Sequence, residues 1–361
     1  MTFLRRFLLW RENFSGVGLK CREASQPNFL LAFQSDFMIH FLIYCGTAIL
    51  LGVLAQTGWS VAQSITVSIL AVLVALIGLP HGGLDFQKGR AIVGSRLTRP
   101  NSSIAATLFV GIYLAIAAIG ILGWFIAPVT TVLLFFALSA WHFGLEEEED
   151  FSGSNPAGEL NLAARLGLAA RGGMVIWMPC VFVSQSVIDT LGIVLPGQSD
   201  AAGIVVFFIS NLWPAFTFAL IFDVVRQTRV LPKREFIVSI IKLACSAFLF
   251  VTCPVLVSFI VYFCGWHSIR GLIHMRREFQ GDTRRFLMAI VPITLATILL
   301  FAAGAFYCMT TEAVPSALVR TIFIGLSSIA VPHLLLHMLA NALDRDSFEE
   351  LSLSGRHREP C

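Results

Sequence analysis

Five histidines in this chain stand inside or at the ends of apolar runs. They are His81 in LPHGGLD (79–85), His142 in WHFG (141–144), His267 in FCGWHSIRG (263–271), and His333 with His337 in VPHLLLH (331–337). Neutral imidazole is the commonest protein ligand for zinc, copper and iron, and an ionisable side chain in an apolar segment is costly unless something there requires it. His333 and His337 are four residues apart, so on a helix both project from one face and can chelate one ion. Asp85, four residues after His81, is placed to accept the ring N–H that a ligand histidine does not use for metal, and Arg270 follows His267 by three. Pro80 and Pro332 each precede a histidine, and a proline bends a helix and frees a carbonyl, which can turn the next side chain inward.

The elements that position these residues follow from composition. A chain of 361 residues that is 57% hydrophobic and 13% charged, with a mean hydropathy of +0.80, points to lipid rather than water as its solvent. The apolar runs lack the alternation of barrel strands, so the expected fold is all-α: a polytopic integral membrane helical bundle. The eight cysteines are scattered without a CxxC pair and suggest no disulfide framework. The net charge of +3 is spread over loops, as membrane topology requires, and argues against nucleic-acid binding.

Spans are expected at roughly 37–55, 61–80, 104–124, 129–144, 172–195, 203–225, 286–309 and 315–342. The run 236–266 connects two basic loops that belong on one side, so it must be a hairpin, with Cys253-Pro254 as its break. This gives about eight to ten transmembrane helices with both termini cytoplasmic. A cytoplasmic or interfacial arm (1–36) precedes the transmembrane domain (37–343), and a polar tail (344–361) follows it. Asp189 interrupts the fifth span, and the acidic run 146–150 reads as a solvated loop.

With this topology His81, His142, His267, His333 and His337 fall at the same ends of their spans, at one membrane level on separate helices, as a metal site in a bundle core requires. The competing reading of any one of them is a histidine hydrogen-bonded to a carbonyl, and that reading suits His40, His274 and His357 better.

Taken together, the four motifs resemble the Brp/Blh family of membrane-bound beta-carotene 15,15'-dioxygenases, across roughly 79–337. The resemblance implies an Fe2+ centre held by histidines that cleaves the central double bond of a carotenoid with dioxygen, in the cell membrane, giving retinal for a microbial rhodopsin. It makes His81, His142 and His267 iron ligands and His333 a further catalytic histidine. Trp141, Phe143, Phe263 and Trp266 adjoin the motif histidines and are candidates to pack on the polyene, with ordinary helix packing as the competing role. The family pattern HS-x-R-H is broken here, because Gly271 stands where its second histidine would be. His337 can substitute from the last span; His274, two turns beyond His267, is the poorer substitute.

Two other classes compete. One is a zinc-dependent intramembrane lipid hydrolase with Asp85 or Glu146 as base; the other is a transporter with a histidine-lined path, disfavoured because no internal repeat is visible. A family member degenerate at Gly271 is the remaining alternative.

Overall fold

A computed structural model describes residues 27–96, 102–152, 161–195, 199–279 and 282–355, and among them only helices occur. Residues 1–26 of the arm and 356–361 of the tail lie outside the described residues. In chain order the helices are α1 (Pro27–Gln56), α2 (Gln63–Leu73), α3 (Asp85–Arg96), α4 (Ser102–Ile126), α5 (Pro128–Ser152), α6 (Leu162–Gly172), α7 (Met174–Phe182) and α8 (Ser184–Val194). They continue with α9 (Ser199–Asn211), α10 (Trp213–Val230), α11 (Lys233–Thr252), α12 (Val255–Phe259), α13 (Ile269–Glu278), α14 (Thr283–Cys308) and α15 (Val314–Gly355). Two π-helical segments, Val74–Gly78 after α2 and Ile260–Ser268 after α12, and a single helical turn, Leu79–His81, complete the set.

Among the described residues, eight helical stretches are long and apolar enough to cross a membrane, and ten are if each of two bent pairs counts as one span. Large apolar side chains on the outer faces remain exposed, among them Leu299, Phe218 and Phe306, which is the surface lipid would cover. The hairpin break falls at Cys253, whose backbone is extended (ψ 148°) ahead of Pro254.

The fifth span differs from expectation. It is a pair of short helices, α7 and α8, bent by 114° at Val183, and Asp189 sits inside α8 accepting a hydrogen bond from Gln185 at 2.8 Å. The carboxylate has a partner one turn away, so it does not break the helix. The sixth span is bent by 46° between α9 and α10. The fourth does not stop at Gly144 either: α5 runs on through the acidic residues to Ser152.

That extension rests on a close crossing of α5 and α6. A Cβ on Gly144 would overlap the Leu168 carbonyl, and one on Gly172 would overlap the Gly144 nitrogen and the Ala140 carbonyl. Small residues let the two backbones touch, as in other lipid-embedded helix pairs.

Gly172→Leu should therefore force the pair apart and destabilise the fold by about 1–3 kcal/mol. Gly46→Leu, at a position with no neighbouring atom within 4 Å of a built Cβ, should change little. Thermal unfolding in detergent compares the two, and equal midpoints would contradict the crossing.

Candidate metal centre

His81 and His267 are both delivered by π-helical geometry. Pro80 has no N–H to offer Leu76, and the preceding turn is widened so that the Leu79 N–H donates to the Val74 carbonyl, five residues back. His81 ends the helical turn after it. His267 lies in the π segment Ile260–Ser268. A π turn rotates the residues beyond it relative to an α-helix, which is why such turns recur where a side chain must be aimed.

The rings of His81, His142, His267 and His333 converge from four separate helical segments. Ring centroids lie 4.7 Å apart for His81 and His267, 5.2 Å for His142 and His267, 5.5 Å for His81 and His333, and 5.4 Å for His142 and His333. His337 stands one turn farther along α15, 4.5 Å from His333 and 6.5 Å from His142. Both ring nitrogens of His81 and Nε2 of His333 are buried without a hydrogen-bond partner. Buried polar atoms are rarely left so; a cation would satisfy Nε2 of His81 and of His333, while Nδ1 of His81 faces the backbone at Gly271.

One donor atom from each of His81, His142, Glu146 and His267 falls within 4.8 Å of the others, near the spread of donors around one ion bonded at about 2.0–2.2 Å. Glu146 lies one turn after His142 on α5. Its Oε2 is 2.8 Å from His267 Nδ1, and its Oε1 is 3.3 Å from His142 Nε2 and 3.5 Å from His81 Nε2. Nitrogen and oxygen donors of this kind suit iron, zinc or manganese, so the residues present fit a first-row transition metal.

Asp85, Tyr113 and His333 form a second layer. Asp85 Oδ2 accepts from His333 Nδ1 at 2.8 Å and from the Tyr113 hydroxyl at 3.0 Å. The carboxylate thus serves His333, across the bundle, rather than the neighbouring His81. Asp85, His333 and His337 also have donor atoms within 4.8 Å of one another. Arg270 is buried, with its guanidinium over the Phe37 ring at 4.5 Å and its Nη2 3.3 Å from His274 Nε2. His40 bonds the Gly265 carbonyl at 2.6 Å.

The expected solvated loop at 146–150 is corrected for its first three residues. Successive residues on a helix point about 100° apart, so three adjacent carboxylates reach three different surroundings. Glu146 reaches the histidines; buried Glu147 pairs with Lys242 and accepts from the Tyr262 hydroxyl at 2.9 Å; buried Glu148 pairs with Arg171 at 2.6 Å and Arg226 at 2.8 Å. Asp223 completes that set, 3.1 Å from Arg171 and 2.9 Å from Arg226. The only hint in the sequence is that an acidic run succeeds an apolar span without a turn residue between Gly144 and Asp150.

Two cavities meet at the centre. An apolar one, about 1240 Å³ with its open mouth, is walled by Phe135, Phe259, Phe263, Phe323 and Leu326, with His81, His142, His267 and His333 among its lining. On α5, on the segment from Val255 and on α15, the histidine comes near the C-terminal end of the lining stretch, so the rings close one end of the cavity. Phe143 and Phe263 line it, whereas Trp141 and Trp266 do not; Trp266 packs against Tyr44 and His40 at 5.0 and 5.2 Å. On the other side His81, His142 and Glu146 line a polar cavity with Lys88, His274 and Glu278.

Lys242→Met should strand the buried Glu147 charge next to the centre and destabilise the protein by about 3–5 kcal/mol, with Lys242→Met/Glu147→Gln recovering much of the loss. Unfolding in detergent measures this, and a single variant as stable as the parent would show the pair to be dispensable.

Known proteins resemble the chain over the segment that carries the four histidine motifs. The family described as beta-carotene 15,15'-dioxygenase matches residues 72–340. The beta-carotene 15,15'-dioxygenase of an uncultured marine bacterium is 28% identical over 269 residues, covering 73% of this chain and 90% of that protein. The probable beta-carotene 15,15'-dioxygenase Blh of Halobacterium salinarum is 24% identical over 270 residues, covering 68% of this chain and 76% of its own. No solved structure matches. With three quarters of its length matched, all four histidine motifs included, this chain belongs to the beta-carotene 15,15'-dioxygenase family.

Proposed function

We propose that this protein cleaves the central double bond of beta-carotene, or of a related carotenoid, with dioxygen to give retinal, at an Fe2+ ion bound by His81, His142 and His267 with His333 beside them. The observation that carries this reading is the convergence of four imidazoles at the closed end of an apolar, phenylalanine-walled cavity. The ion, when bound, supplies the open positions and the electrons that dioxygen requires. One dioxygen per double bond yields two aldehydes, so the reaction consumes no external reductant and needs no general acid.

The chain's own residues hold the reactants and keep water away. Phe259 and Phe263 are stacked 5.0 Å apart with planes 6° from parallel, and Phe263 continues the stack onto His267 at 5.5 Å. Phe143 meets His267 edge-on at 4.6 Å. A flat polyene would lie along this aromatic wall with one bond facing the imidazoles, and both carotenoid and dioxygen partition into such a site from lipid. Asp85, held by Tyr113, fixes the His333 Nδ1–H and leaves its Nε2 as an unprotonated acceptor beside the ligand set. Tautomer roles of this kind are set by the hydrogen bond each ring makes.

This reading places the protein across the cell membrane in many passes, with the histidine level and both termini on the cytoplasmic side as the basic loops require. A microbial rhodopsin would be the recipient of the retinal.

Expression in bacteria that accumulate beta-carotene should bleach the pigment and yield retinal, and His142→Ala should abolish both. Iron should copurify with the parent protein. Intact pigment in cells expressing the parent protein, together with zinc in place of iron, would favour lipid hydrolysis instead.

A further inference from the structure

We propose that Glu146 is itself a ligand of the metal in this chain, completing a set of three histidines and one carboxylate with His81, His142 and His267, and that Gly271 is kept free of a side chain so that His81 can join it. The inference rests on the metal-centre reading above and deepens it.

Three observations converge. The first is distance. A nitrogen-to-oxygen hydrogen bond is made at about 2.7–3.2 Å, whereas donors around a tetrahedral ion with bonds of about 2.1 Å stand about 3.4 Å apart. Glu146 Oε1 is 3.3 Å from His142 Nε2 and 3.5 Å from His81 Nε2, the spacing of co-ligands; only its contact with His267, at 2.8 Å, is a hydrogen-bond distance.

The second observation is charge. Glu147 has Lys242, and Glu148 has Arg171 and Arg226. Among the described residues, the ion-pair partners of Glu146 are all histidines. A half-buried carboxylate faced only by imidazoles is stabilised by a cation, and the place where its oxygens and the three imidazole nitrogens meet is where one fits.

The third observation concerns the helix facing it. A Cβ on Gly271 would overlap Nδ1 and Cε1 of His81, so the His81 ring lies directly against the backbone there. No side chain at 271, a histidine included, fits while His81 keeps this position. The histidines that the sequence offers as substitutes are engaged elsewhere: His337 groups with Asp85 and His333, and His274 stands beside Arg270. The donor missing from α13 is supplied instead from α5. A carboxylate also cancels one unit of the ion's charge and, as a hard oxygen donor, favours Fe(II), Mn(II) or Zn(II) over Cu(I).

The test is anaerobic titration of the purified, metal-free full chain in detergent with Fe(II), reading stoichiometry and affinity rather than turnover. The parent protein should bind one ion tightly, Glu146→Gln should weaken binding at least 10-fold, and Glu146→His, which restores a donor, should stay within a few-fold of the parent. Gly271→Ala should weaken binding by displacing His81. Unchanged affinity in Glu146→Gln overturns this inference and leaves the dioxygenase reading standing; equal loss in the Gln and His variants also overturns it, since it marks a structural role. A parent protein that binds no iron removes both.

Discussion

Imidazole lone pairs inside a lipid-embedded bundle need a partner that water cannot provide, and the rest of this structure is arranged around meeting that need. His81, His142, His267 and His333 sit on four segments and still bring their rings within 4.7–5.5 Å of their neighbours. Reaching that arrangement uses local departures from ideal helix: the widened turn ahead of Pro80 and His81, and the π segment carrying His267. Each departure weakens regular backbone hydrogen bonding where a ring has to be aimed, which is where π turns are most often found.

The carboxylates show how tightly packing and site are joined. Glu146, Glu147 and Glu148 reach the histidines, Lys242 and the arginine pair because α5 stays helical past Gly144. It can do so because α6 approaches it at Gly144 and Gly172 without side chains in between. Arg171, at the end of α6, then meets Glu148 of α5 and Asp223 of α10, so the buried ion pairs reinforce the glycine crossing and tie α10 to it.

Much of this is legible in the residue order, and the parts that are not have definite causes. The histidine cluster is visible because the sidedness expected from the basic loops puts the motif histidines at one level, and the rings do converge. The break at Cys253-Pro254 is visible because proline acts locally. Glu146 is hidden because a run of like charge normally means solvent, and nothing local records that Lys242, Arg171 and Arg226, up to 95 residues away, will meet its neighbours. The bend lies at Val183 and not at Asp189 because a charge in an apolar run only looks like an interruption; Gln185 partners it within the same helix. Trp266 and Phe263 both flank His267, yet only the phenylalanine reaches the cavity, since adjacency in sequence does not say which helix face a ring occupies.

His81 and His142 line both cavities at once, the aromatic one on one side and the polar one with Lys88 and Glu278 on the other. The pair of rings is therefore a bulkhead between two compartments. The two compartments offer the same two imidazoles different surroundings, phenylalanines on one face and charged side chains on the other. A wall two rings thick thus lets one centre have an aromatic half and a charged half at once.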